Sequence, residues 1–63
     1  MCLSSVCIDS GGQRDEVMKE VTYMQAEKGG FLLTGLLGEQ KFVKGKIRSI
    51  DFVDEHVVVL EER

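Results

Sequence analysis

Cys2 stands one residue from the start of the chain, and that position gives its thiol chemistry that an interior cysteine lacks. A thiolate, the deprotonated amide nitrogen beside it and the terminal amine can close adjacent chelate rings around one ion. Removal of Met1 would instead leave amine and thiolate on the same residue. Soft sulfur with nitrogen in a planar set suits nickel(II) or copper, whereas zinc takes a tetrahedral set. One chain offers too few donors for this, so two copies of Cys2 meeting on the axis of a homodimer would be needed to complete a four-donor site. The alternative is that Cys2 is simply a small apolar residue at the start of a strand, as unoxidised cysteines often are.

The remaining chemical groups are placed differently. Cys7 lies five residues after Cys2; along a strand an odd separation sends two side chains to opposite faces, so one chain does not chelate with both. The C-x4-C spacing is also not that of a zinc ribbon or a thioredoxin-like redox pair. Cys7 is therefore expected as a buried or half-buried hydrophobe. His56, the only histidine, follows Asp54 and Glu55 in a polar reversal. A carboxylate–histidine pair can bind metal or move a proton, but no serine or cysteine nucleophile stands beside it, and a solvent-exposed turn residue is expected.

Lys41, Lys44, Lys46 and Arg48 form the one basic stretch, with three of them sharing strand parity. With Phe42 and Tyr23 or Phe31 nearby, such a face can track single-stranded RNA, phosphates on lysine and bases on rings. Glu39, Asp51, Asp54 and Glu55 flank it and the net charge is −3. Phosphate backbones are thus repelled locally and not attracted globally, so a solvated strand face is expected, with an RNA-binding module as the alternative. No G-x4-G-K-[ST] phosphate loop occurs. A water-excluding catalytic pocket has little room in so short a chain, and an enzyme is not expected.

The elements that must position these groups read as strands. Apolar runs are separated by glycine-bearing turns: Cys2 to Ile8 ends at Asp9-Ser10-Gly11-Gly12, and Val21 to Ala26 is joined to Phe31 to Thr34 through Glu27-Lys28-Gly29-Gly30. Gly38 marks a third reversal, Gly45 a kink or bulge between Lys41–Val43 and Ile47–Phe52, and Val57 to Leu60 closes the series. One segment also fits a 3.6-residue period: from Arg14 to Lys28, Val17, Met18, Val21 and Met24 share a helical face. Locally helix and strand are balanced there. Pairing of Val21–Ala26 with the run after the two-glycine turn favours the strand, and the whole reads as an all-β domain, a small barrel of five to six antiparallel strands.

Length and composition set the frame. Residues 1–63 form one domain, 43% hydrophobic and 30% charged, without proline or tryptophan. A chain of this size hides only about 60% of its unfolded surface, so self-association is an evident remedy. No apolar run nears the roughly 20 residues of a membrane span, and the amino terminus lacks the basic head of a signal peptide. The expectation is a cytoplasmic protein with no membrane partner and with reduced thiols.

Met1-Cys2, Glu27-Lys28-Gly29-Gly30, the stretch Leu36 to Lys41, Val43-Lys44-Gly45-Lys46-Ile47, Ile50-Asp51-Phe52 and the closing Val57 to Glu62 together resemble the CooT family over nearly the whole chain. The resemblance implies a homodimer of small SH3-like β-barrels in which Cys2 of each chain binds one nickel(II) at the interface. It implies a nickel carrier or store linked to carbon monoxide dehydrogenase maturation, with a nickel enzyme or its maturation factors as partners. Related sequences have also been labelled predicted RNA-binding proteins. Cys7 has no counterpart in the family pattern, and Leu36-Leu37 stands where Leu-Phe is more usual; neither departure touches Cys2. The resemblance speaks for nickel more strongly than for any one client enzyme.

Overall fold

The computed structural model describes residues 3–62. They form six strands and no helix: β1 (Ser4–Ser10), β2 (Gln13–Glu27), β3 (Gly30–Gly35), β4 (Gln40–Lys44), β5 (Lys46–Asp51) and β6 (Val57–Glu61). The all-β expectation holds. No helix is long and apolar enough to cross a membrane among the described residues.

The strands make a single sheet in the order β4-β3-β2-β1-β6-β5. Two details differ from an antiparallel barrel. β1 and β6 run parallel, Ser5 opposite Val57 through Asp9 opposite Glu61, because β4 leads through Gly45 into β5 at the far end of the ladder without a hairpin reversal, and β5 then turns back antiparallel into β6 beside the first strand. The ladder also does not close, since β4 and β5 are end strands without a mutual pairing. Yet these two ends are joined covalently: Lys44 pairs with Gly30 at one edge and Lys46 with Glu61 at the other, with only Gly45 between them. The sheet is therefore curled until its edges meet at one residue, which makes it barrel-like at that end and open elsewhere.

Gly45 permits this meeting. Its N–H donates to the Gly29 carbonyl at 3.2 Å, its φ is 146°, and a Cβ there would lie 2.7 Å from the carbonyl oxygen of Glu61.

The segment that fits both periods is one strand of 15 residues. Its helical appearance has a structural cause. The pairing of β2 shifts register between Met18 and Glu16, between Val21 and Met18, and between Val21 and Tyr23, each time by one extra residue in β2. A bulge of this kind returns the next side chain to the same face and increases the local twist. Val17, Met18, Val21 and Met24 accordingly all pack into one core with Val6, Leu33, Val43 and Leu60. Glu20, at one of these bulges, has a positive φ of 54°.

That core fills the concave side. On β1 and β6 it takes Val6, Ile8, Val58 and Leu60, while the alternate residues Cys7, Val57 and Val59 form a second buried cluster on the convex side. Strand alternation splits the two clusters as side-chain parity requires.

Candidate metal centre

Cys2 lies outside the described residues, so the site is built from what surrounds the start of β1. Because β1 is a central strand, its first residues are flanked on both sides. Ser4 is opposite Val21 of β2. On the other side the Ser5 N–H donates to the His56 carbonyl at 3.1 Å. A cleft of about 150 Å3 opens there, lined by Ser4 and by Thr22, Tyr23 and Met24 with Val58 beneath. Tyr23, on the β2 side, and Phe52 and Val53, in the reversal that leads to β6, expose 60%, 75% and 81% of their surface.

The reversal from 52 to 56 holds its shape through Asp51. Its Oδ1 accepts from the N–H of Val53 at 2.9 Å and of Asp54 at 3.0 Å. The Asp54 and Val53 N–H groups hold the carboxyl below its ordinary pKa, since a carboxylate that accepts backbone bonds favours its charged form. His56 closes the reversal with a positive φ of 53°. It is half-buried rather than fully exposed, and its carbonyl is committed to β1.

Cys7 is a hydrophobe, as expected. It is 9% exposed and packs with Val57 and Val59. Burial is the main cause that pushes its thiol pKa up; Glu16, Asp9 and Glu55 add to the rise and Arg14 opposes it. A thiol kept protonated this way is a poor ligand and a poor nucleophile. Among the described residues no group of three or more His, Cys, Asp or Glu side chains could hold a metal ion.

The basic stretch is not one face. Lys41 and Lys44 belong to β4 and Lys46 and Arg48 to β5, at opposite ends of the ladder. Parity fails twice, at the Gly45 kink and at a bulge that inserts Arg48 between Ile47 and Ser49. Arg48 turns to Glu61 at 3.2 Å and Asp9 at 3.5 Å, Lys46 to Glu61 at 3.4 Å, and Arg14 to Asp9 at 3.1 Å. These charges neutralise one another across the convex side. Sequence reasoning missed this network because only Asp9 opposite Arg14 is a hairpin pair; Lys46 opposite Glu61 belongs to the β5–β6 pair, and the two halves join where the parallel β1–β6 pairing sets Asp9 opposite Glu61, which no local motif announces.

The family model for the CO dehydrogenase accessory protein CooT matches residues 1–61. The chain belongs to the CooT family. Its fold agrees with that of a solved structure, the CooT candidate of Carboxydothermus hydrogenoformans, with a TM-score of 0.88 and 29% identity over 98% of each chain. No curated protein sequence matches this chain. The family match starts at residue 1 and so includes Cys2, while the two expected departures, Cys7 and Leu37, sit in the convex cluster and at a 90% exposed turn of this CooT-family fold.

Proposed function

We propose that this CooT-family chain is a non-catalytic nickel(II)-binding accessory protein, a carrier or store for carbon monoxide dehydrogenase maturation, and that Cys2 is its metal ligand. The observation that carries the reading is the match of the accessory-protein family from residue 1 onward, joined to the exclusion of the other thiol. Cys7 is buried and its thiol is held protonated, which leaves Cys2 as the sulfur available to a soft borderline ion. Backbone nitrogen near Met1 is the co-ligand, and nickel is cargo rather than a resident cofactor.

A homodimer supplies the second sulfur. The exposed Tyr23, Phe52 and Val53 near the start of β1 support this, since burying them against a second copy would add apolar contact to a core that is thin at this chain length. Thiol and nitrogen must both lose protons to bind, so affinity rises with pH through the region of the free thiol pKa, about 8.5.

Nickel titration of wild type, Cys2→Ser and Cys7→Ser, followed by the thiolate-to-metal absorption band, tests the reading. The band is expected in wild type and Cys7→Ser, at one metal per two chains, and absent from Cys2→Ser. Equal binding by wild type and Cys2→Ser would remove the proposal. Size-exclusion chromatography with and without nickel checks the dimer.

A further inference from the structure

β4 ends the sheet. It is bonded to β3 along one side and to no strand along the other among the described residues, so alternate residues of Gln40–Lys44 direct N–H and C=O groups outward. Beside this edge the curled sheet leaves an open cleft of about 600 Å3. Its walls are apolar where Ile8 and Val17 reach it from β1 and β2, and where Val43 and the half-exposed Phe42 border it on β4.

The charge at its mouth is distinctive for a chain of net charge −3. Lys41 and Lys44 line the cleft, and neither makes an ion pair among the described residues; Lys28 of the β2–β3 turn makes none either, whereas Arg14, Lys19, Lys46 and Arg48 each do. The lining also holds one acid, Glu62, whose Oε1 accepts from the Ser10 hydroxyl at 2.8 Å. Backbone groups, an apolar wall and an excess of positive over negative side chains thus coincide at one edge.

We propose that the β4 edge docks an extended acidic segment of another protein as an added strand. Main-chain bonds to β4 supply affinity, and side chains supply selection. Lys41 and Lys44 are three residues apart and so point to opposite faces of the strand; acids three apart in the incoming segment meet both. An apolar residue between them, on the face that Lys41 shares with Val43, enters the cleft toward Ile8 and Val17. A second copy of β4 fits this edge less well: paired antiparallel about Phe42 it sets Val43 and Gln40 opposite Lys41 and Lys44, and about Val43 it sets Gly45 and Phe42 there, so no acid meets either lysine. The inference does not rest on the metal reading.

The test is an NMR titration of the isotope-labelled full chain with the blocked peptide Thr-Glu-Val-Val-Glu-Thr. Saturable shifts are expected in the amides of residues 40–44 and the methyls of Ile8 and Val17. Affinity should weaken about tenfold in the exposed-site double variant Lys41→Glu/Lys44→Glu, less in Lys41→Gln/Lys44→Gln, and should fall with salt. Absence of saturation at millimolar peptide, shifts centred elsewhere, or equal binding of Thr-Lys-Val-Val-Lys-Thr would overturn the proposal. So would concentration-dependent shifts of the same amides without peptide, which would assign the edge to a second copy, or tighter competition by single-stranded RNA, which would assign it to phosphate.

Discussion

Replacing Gly45 by alanine tests whether the sheet's two ends are held together at a single residue. Two costs combine. A φ of 146° is a conformation that side chains rarely adopt, and holding one there costs about 1–3 kcal/mol. The new methyl would also lie 2.7 Å from the Glu61 carbonyl oxygen, which is backbone in a paired strand and yields only if β5 and β6 shift, at a further cost of about 1–3 kcal/mol. Alanine returns about 0.4–1 kcal/mol by restricting the unfolded chain. The net loss is about 1–5 kcal/mol, centred on about 3 kcal/mol, against a total stability of about 3–9 kcal/mol for a chain of this length. Urea denaturation followed by far-ultraviolet circular dichroism reads it: with a slope of about 1 kcal/mol per molar, the midpoint falls by about 3 M at the centre of that range and by at least about 1 M. Gly38→Ala is the control, because Gly38 also has a positive φ, 87°, but open space where its Cβ would be; it should lose about 1 kcal/mol from backbone strain alone. A Gly45→Ala midpoint within about 0.5 M of wild type, or equal losses at both glycines, would refute the close-approach argument.

Leu33→Ala removes a side chain with no exposure and should cost about 2–5 kcal/mol, leaving a chain this small partly unfolded at room temperature by chemical denaturation. Cys7→Val should be tolerated in thermal melts and should remove an alkaline loss of stability: the folded thiol pKa is raised, so its contribution is present below the unfolded pKa and is lost as pH rises through the folded one. For Asp51 the sign is opposite. Its folded pKa is depressed by the Asp54 and Val53 N–H groups, so stability is present above the unfolded value and lost as pH falls through the folded one; Asp51→Ala should lower the melting temperature at neutral pH and flatten that acid limb. Arg48→Ala, at a side chain 58% exposed, should change stability by less than about 1 kcal/mol and lose even that in high salt.

The sequence by itself determined the strand class, the turns and the thiol logic. Glycine pairs between β-branched and aromatic runs left few alternatives to strands, and the expectation that Cys7 is a buried hydrophobe holds, since it lies in the convex cluster. The period of Val17, Met18, Val21 and Met24 was read correctly as one shared face but explained by helix as readily as by strand, because three bulges restore the same face every third residue. Only the tertiary structure decided that explanation, since a bulge exists only relative to a partner strand. The tertiary structure likewise decided the parallel pairing of β1 with β6, the meeting of both sheet ends at Gly45, and the division of the basic stretch into Lys46 and Arg48, which pair with acids, and Lys41 and Lys44, which do not among the described residues. Each of these depends on residues far apart in the chain, where pairing energy is collected only after loop closure, and no local propensity encodes which distant partner will be met.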